Sequence, residues 1–129
     1  MLRDKSIYLL KQFERRKVMP IIQKEFTSYV VYYISGSSVN IGMPQDAEID
    51  CFTAKNKRAG IIYFYPDNVK LPSNRDTVNG IYLYFRASRF ADVMTMLKEE
   101  KPLYLNLETT KKHGYVGTSI EPVGEQEGI

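Results

Sequence analysis

Two short stretches decide the fold of this chain: GIIYFYP at residues 60–66 and GIYLYFR at residues 80–86. Both are rich in β-branched and aromatic residues and alternate two kinds of side chain, which is typical of β-strands. Successive side chains of a strand point to opposite faces of its sheet. One predicted face is aromatic, with Tyr63, Tyr65, Tyr82, Tyr84 and Arg86. The other face is apolar, with Ile62, Phe64, Ile81, Leu83 and Phe85.

Length and composition favour one folded domain. The chain has 129 residues, 43% of them hydrophobic and 26% charged, which suits one packed core better than two. We expect a single globular domain over residues 1–123 and a flexible acidic tail over residues 124–129. A single cysteine, Cys51, excludes an internal disulfide, and the sequence has no signal-peptide core and no apolar membrane span. These features predict a cytoplasmic or otherwise intracellular protein with no membrane partner.

Charge is distributed unevenly along the chain. Residues 1–120 hold all 18 Lys and Arg and 12 of the 15 acidic residues, whereas residues 121–129 carry three acids. A moderately basic body attracts polyanions, and an acidic tail competes with them. Solubility is the simpler explanation of a mild excess of charge, so the charge alone does not decide between partners.

The first half of the chain predicts helix followed by strands. Residues 4–17 have helical spacing with a basic opposite side, and Pro20 ends or kinks that helix before a second helical turn at residues 21–25. The β-branched and aromatic run at residues 28–34 predicts the first strand, and residues 48–54 predict the second. A basic connection of hairpin length then leads to the first tyrosine-rich strand.

The second half predicts a long loop, a helix and two closing strands. Residues 67–79 connect the tyrosine-rich strands by a loop longer than the norm, which is typical of a functional or mobile segment. Ser88 is a candidate N-cap for a helix that Pro102 stops. Its apolar residues recur at helical spacing: Phe90, Val93, Met94 and Leu97. Strands are expected over residues 103–107 and 115–120, around a turn at residues 111–114.

This order of elements predicts a mainly β fold of the α+β class with two helices. The economical arrangement is a bent antiparallel sheet or small barrel preceded by an N-terminal helix. In general architecture it is similar to the oligonucleotide-binding (OB) barrel, where a helix precedes the last strands. It is also similar to Sm- or SH3-like barrels, where a helix precedes a bent sheet. The similarity is one of element order, without a shared motif, and implies no function.

The aromatic face leads to a hypothesis of single-stranded nucleic-acid binding. A base stacked on an aromatic ring contributes about 1–3 kcal/mol, and Lys and Arg contacts to phosphate add a salt-dependent contribution. The candidate residues are Tyr63, Tyr65, Tyr82, Tyr84, Arg86, Arg89, Lys55, Lys57, Arg58, Lys111 and Lys112. The expected partner is single-stranded DNA or RNA. The alternative to ligand binding is that the predicted N-terminal helix covers the same tyrosines.

No catalytic or metal-binding signature accompanies this face. Asp46, Glu48 and Asp50 alternate along one strand, but one strand rarely completes a cation site. His113 lies in a predicted turn without a nucleophile beside it, and Cys51 has the apolar context of a small buried hydrophobe. The glycines are scattered and form no phosphate-binding fingerprint. The sequence therefore predicts a non-catalytic binding module without cofactor or metal.

A second interpretation belongs to another functional class. Tyrosine is also enriched in subunit interfaces, so the tyrosine-rich strand faces or edges could join copies of the chain. This alternative is a structural protein that forms a homo-oligomer and does not bind nucleic acid. An enzyme whose site is assembled by the long loop is the third possibility, because sequence order does not reveal which residues converge in space.

Overall fold

The computed structural model describes residues 20–36 and 44–118. The strands within these ranges are β1 (Ile21–Phe26), β2 (Ser28–Tyr33), β3 (Ala47–Phe52), β4 (Arg58–Tyr65), β5 (Arg75–Thr77), β6 (Gly80–Arg86), β7 (Leu103–Glu108) and β8 (His113–Gly117). A 3-10 turn, Ala87–Arg89, leads into the helix α1 (Phe90–Glu99). The predicted helix over residues 4–17 and the predicted acidic tail lie outside the described residues.

The strands form two sheets. The larger has the order β2-β3-β4-β6-β5, in which β4 and β6 run parallel and every other pair is antiparallel. The smaller is antiparallel, with the order β1-β7-β8. The chain crosses from the smaller to the larger sheet at Thr27, whose backbone N–H donates to the carbonyl oxygen of Phe52 over 2.9 Å.

The β-rich α+β class is confirmed, but the predicted sheet geometry is wrong in two respects. The strands of the described residues form two separate sheets and do not close into an OB-like or Sm/SH3-like barrel. The larger sheet is also not fully antiparallel, because β4 pairs with β6 in parallel. A parallel pair needs a crossover of about a dozen residues or more, and the connection over residues 66–79 supplies that length.

The predicted helical turn at residues 21–25 is wrong, because these residues belong to β1. Their side chains alternate between greater and lesser exposure, and Phe26 at the end of the strand is buried. Antiparallel pairing with β7, from Ile21 opposite Glu108 to Phe26 opposite Leu103, satisfies the backbone hydrogen-bonding groups of this segment that face β7. Tertiary pairing thus overrides a weak helical pattern that begins after a proline. Of the two predicted helices, only α1 lies in the described part of the chain.

The remaining predictions agree with the structure more closely. The strands expected at residues 28–34 and 48–54 and both tyrosine-rich strands are confirmed. The predicted loop between the latter contains the short strand β5. The helix is confirmed with Val93 and Leu97 buried, but Ser88 is not its cap, because Ser88 lies in the 3-10 turn and donates its N–H to Asp67 Oδ1 over 3.2 Å.

The hydrophobic core lies where the inner face of the larger sheet packs against β7, β8 and α1. It includes Ile62, Phe64, Leu83, Leu97 and Leu105. Gly60 allows β4 to lie close to both β6 and the smaller sheet, because a Cβ atom there would lie 2.1 Å from the Ile81 carbonyl oxygen of β6 and 2.6 Å from Leu105 Cδ1 of β7. The opposite, outer face of the larger sheet carries the tyrosines of β4 and β6.

Candidate nucleic-acid interface

The tyrosines of β4 and β6 form one contiguous group on the outer face. Parallel pairing sets Tyr63 beside Tyr84, and their rings stack with centroids 5.1 Å apart and planes inclined by 12°. Tyr82 meets Tyr63 edge-on at 5.5 Å, and Tyr65 meets Tyr84 edge-on at 5.6 Å. All four side chains are half-buried. We call this group the tyrosine cluster; such ring pairs each contribute about 0.5–1.5 kcal/mol beyond area burial.

The phenol hydroxyls of Tyr63 and Tyr65 stay protonated at neutral pH, because the pKa of each is raised. Burial raises the pKa of Tyr63, and the neighbouring Tyr82 hydroxyl and Glu48 carboxylate raise it further. Burial also raises the pKa of Tyr65, with a smaller contribution from Tyr84. A protonated phenol both donates and accepts hydrogen bonds. Tyr63 and Tyr65 therefore present ring surface together with neutral hydroxyl groups.

Arginine side chains border the cluster, but the arginine that lies over a tyrosine ring is Arg75 and not the predicted Arg86. Arg86 lies beside Tyr65 in the parallel register, yet its guanidinium donates to the carbonyl oxygens of Pro66 and Val69 and so holds the chain after β4. Arg75 of β5, which sequence reasoning missed, has its guanidinium carbon 5.4 Å from the centroid of the Tyr82 ring. A cation over an aromatic face is an attractive contact. Arg75 is thus the arginine best placed at the cluster.

The β3–β4 connection places its predicted cations differently. Lys55 and Lys57 are exposed, and their backbone N–H groups donate to Thr53 Oγ1. Arg58 instead turns to the sheet: its Nη2 donates to Asp50 Oδ2 over 3.1 Å, and its guanidinium lies 5.9 Å from the Phe52 ring centroid. The two lysines are exposed to solvent, whereas Arg58 forms an ion pair with Asp50 of the same sheet.

The β7–β8 turn reaches the edge of the tyrosine cluster through one side chain. Asn74 Nδ2 donates to the Lys112 carbonyl oxygen over 3.0 Å, and Asn74 Oδ1 accepts the backbone N–H of Tyr84 over 2.9 Å. Lys111 and Lys112 are both exposed on this turn. These two hydrogen bonds of Asn74 place the backbone of the β7–β8 turn next to β6. A sequence pattern could not have indicated it, because Asn74 and Lys112 are 38 positions apart.

Arg89 is the remaining predicted cation and lies beyond the end of β6. It is exposed, and its Nε is 3.7 Å from Asp92 Oδ2 one turn later. An exposed pair of this kind contributes little to stability, about 0–1 kcal/mol. The structure therefore joins the four tyrosines into one surface, and of the predicted cations it places Arg86 beside Tyr65 in the register of β4 and β6.

Two carboxyl groups lie beside the tyrosine cluster, and we call Glu48 and Asp50 the carboxyl pair. Both lie on β3 and share the outer face, with Glu48 opposite Tyr63. Asp50 is only 5% exposed. Its Oδ2 accepts from Arg58, whereas its Oδ1 has no hydrogen-bond donor among the described residues. Glu48 Oε1 accepts from Gln45 Nε2 over 3.1 Å.

The surroundings of Asp50 favour the protonated form of its carboxyl group. The pKa of Asp50 is raised from 3.8 to about 7. Burial is the largest cause, and Glu48 raises the pKa further through a hydrogen bond and its negative charge, whereas the positive charge of Arg58 lowers it. Two ionised carboxylates only accept hydrogen bonds, so a hydrogen bond between them requires a proton on one. Near neutrality Asp50 is thus ionised in only part of the molecules, next to the surface that we predict from the sequence to bind a polyanion.

Groups with other possible chemistry lie apart from the cluster. Cys51 is fully buried on the inner face, and burial raises the pKa of its thiol. His113 begins β8, and Glu108 opposite it accepts the backbone N–H groups of Thr110 and Lys111 over 2.7 Å each. Among residues 20–36 and 44–118, no group of three or more His, Cys, Asp or Glu side chains is arranged to hold a metal ion.

A groove of about 510 Å³ opens between the β1–β2 junction and the end of α1. Its lining includes Phe26, Leu97 and Leu103 together with Glu25 and Lys101. None of the residues proposed for nucleic-acid binding lines it. The groove and the tyrosine cluster are therefore separate features of the surface.

Comparison with known proteins adds no family: the chain matches no protein-family model, no curated protein and no solved structure. Within the described part of the chain, no helix has the length and apolar character needed to cross a membrane. We therefore infer function from the geometry of the residues themselves.

Proposed function

We propose that this chain is a non-catalytic module that binds single-stranded nucleic acid through the tyrosine cluster. The observation that best supports this proposal is the contiguity of four half-buried tyrosines on one sheet face, with Tyr63 stacked on Tyr84 at 5.1 Å. Aromatic rings held on a sheet offer bases a flat surface without a large loss of side-chain entropy, because neighbouring rings already fix their orientation.

Stacking uses the ring surface that the cluster leaves open. Tyr63 and Tyr84 each give one ring face to the other, so one face of each remains for a base or for neighbouring side chains. Tyr82 and Tyr65 flank this stack edge-on. Two stacked bases would contribute roughly 2–6 kcal/mol at about 1–3 kcal/mol each. This is enough for micromolar binding when phosphate contacts are added.

Exposed cations supply the phosphate contacts in this proposal. Arg75 at Tyr82 and the exposed lysines Lys55, Lys57, Lys111 and Lys112 are the main candidates. Arg58 and Arg86 contribute less, because their guanidinium groups are bound to Asp50 and to backbone carbonyl oxygens. Affinity should fall as salt concentration rises, since each phosphate contact releases a counterion.

The test is fluorescence anisotropy of the full chain with labelled single-stranded DNA and RNA over a salt series. The double variant Tyr82→Ala and Tyr84→Ala should weaken binding about tenfold or more through lost stacking. Tyr115→Ala is the matched control, because Tyr115 is an exposed tyrosine on the smaller sheet. Circular dichroism and thermal melting establish that each variant is folded. A folded double variant that binds as tightly as the wild type would refute the stacking mechanism.

A structural role remains the second candidate, supported by a different part of the molecule. β2 is tyrosine-rich, and Tyr32 and Tyr33 are 48% and 71% exposed. Large exposed aromatic side chains on a sheet edge are typical of contact surfaces. Light scattering of the free chain separates the two functions, since a homo-oligomer that fails to bind nucleic acid supports the structural one.

A further inference from the structure

The two sheets present four edge strands within the described residues. β1 and β8 border the smaller sheet, and β2 and β5 border the larger one. An edge strand carries unpaired backbone N–H and C=O groups that pair readily with another strand. Proteins protect such edges with charged residues, proline, bulges or very short strands. The four edges can therefore be compared by the protection that each carries.

Three of the edges are protected. β1 carries Lys24 and Glu25, and β5 is three residues long with Arg75 and Asp76. Lys24 Nζ and Asp76 Oδ1 are 3.8 Å apart, so one charged side chain of β1 forms an ion pair with one of β5. β8 has five residues, two of them glycines, and glycine weakens strand pairing.

β2 has none of these protections. Its sequence, SYVVYY, is six residues long and contains no charge, proline or glycine. Every residue after Ser28 is β-branched or aromatic, the types that favour strands. Val30 and Tyr32, which share the outer face with the tyrosine cluster, are 42% and 48% exposed. An uncharged, strongly β-forming edge of this kind is expected to pair with a further strand.

We propose that β2 binds β2 of a second copy of this chain, antiparallel and about a twofold axis, so that two five-stranded sheets become one ten-stranded sheet. A twofold contact sets the same segment against its own reverse. A charged strand risks placing like charges opposite each other, whereas β2 carries no charge in any register. A register centred on Val31 sets Val30 opposite Tyr32 of the second copy, a favourable pairing of β-branched and aromatic residues.

The axis is perpendicular to the sheet, which puts both tyrosine clusters on the same face of the joined sheet. Five strand spacings of about 4.8 Å separate β4 from its symmetry mate, so the clusters lie about 24 Å apart. A six-residue edge contact is small beside a standard interface of about 1,600 Å². We therefore expect a dimer in the micromolar range.

Sedimentation velocity of the full chain over a concentration series tests the proposal. Val30→Lys puts a charge on the pairing edge and should raise the dimer dissociation constant at least tenfold. Val78→Lys is the matched control, because Val78 is fully exposed in the β5–β6 turn and the exchange is the same. Val30→Thr, which keeps β-branching without charge, should dimerise like the wild type.

Each outcome decides the proposal. A wild-type chain that stays monomeric at about 0.1 mM overturns it, including the case in which other residues of the same chain cover β2. A dimer that persists unchanged in Val30→Lys places the contact elsewhere and also overturns it. If Val30→Lys proves unfolded, Tyr32→Lys provides the same test. Binding of a short oligonucleotide by monomeric Val30→Lys is measured separately, so the edge contact can fail while nucleic-acid binding stands, or the reverse.

Discussion

The two faces of the five-stranded sheet differ although the same strands build them. On the inner face, Phe64 and Leu83 are sealed against the second sheet and the helix. On the outer face, Tyr63 and Tyr84 are half-buried and held largely by contacts between rings. The inner face therefore provides most of the stability, whereas the outer face leaves part of its aromatic rings open to solvent.

The centre of the outer face departs from this simple division. Ile61 and Asp50 are 4% and 5% exposed although both point away from the main core. Arg58 and Glu48 accompany Asp50 there. Because burial raises the pKa of the Asp50 carboxyl, we expect the outer face to respond to pH. The three predictions below test the contrast between the faces, from the largest expected effect to the smallest.

Truncating one aromatic residue on each face tests the contrast most directly. Phe64→Ala should reduce the free energy of unfolding by about 3–5 kcal/mol, because it empties a fully buried site. Tyr65→Ala, its neighbour on the outer face, removes an edge contact with Tyr84 and should cost about 1 kcal/mol. Urea denaturation measures both losses. Equal losses would show that something covers the outer face as tightly as the core.

Adding a single methyl group tests how closely the inner face is packed. Gly60→Ala places a Cβ atom against the Ile81 carbonyl oxygen and Leu105, and should cost about 1–3 kcal/mol or more. Gly117→Ala is the matched control in a strand, since nothing lies within 4 Å of its added Cβ, and should stay within about 0.5 kcal/mol. Thermal melting of both variants gives the comparison. A tolerated Gly60→Ala would mean that β6 and Leu105 can move away from β4 at low cost.

Titration of the carboxyl pair provides the pH prediction for the outer face. Because folding raises the pKa of Asp50 from 3.8 to about 7, its protonated form contributes stability below pH 3.8 that is lost as pH rises through about 7. Asp50→Asn imitates the protonated acid, with an oxygen for Arg58 and an N–H for Glu48. It should gain stability over the wild type as pH rises from about 4 to 8, by about 1–3 kcal/mol.

Denaturation midpoints at a series of pH values check this prediction. The charged and titratable groups around Asp50 are Glu48 on β3 and Arg58 and Tyr63 on β4. Glu99→Gln, the equivalent exchange at an exposed position of the helix, is the control and should stay within about 0.5 kcal/mol. A difference between Asp50→Asn and the wild type that does not change with pH would show that Asp50 is ionised throughout.

Local pattern was enough to predict much of the fold and one part of the site. The alternation in β4 and β6 indicated both strands and the faces of their side chains, because strand periodicity is a property of the backbone alone. Helical spacing likewise indicated α1. The role of Arg86 was not predictable, since its guanidinium binds carbonyl oxygens of Pro66 and Val69 in a preceding loop. Arg75 and Asn74 were missed because they lie in the loop that carries β5.

The sequence by itself determined which side chains share a strand face, since alternation depends on neighbouring residues only. It also determined that β2 is uncharged and β-forming. Only the tertiary structure decided that β4 and β6 pair in parallel, that residues 21–26 join β7, and that the strands divide into two sheets. The tertiary structure also brought the carboxyl pair beside the tyrosine cluster, through the pairing of β3 with β4. Strand order and register depend on contacts between distant residues, whose energies no local pattern contains.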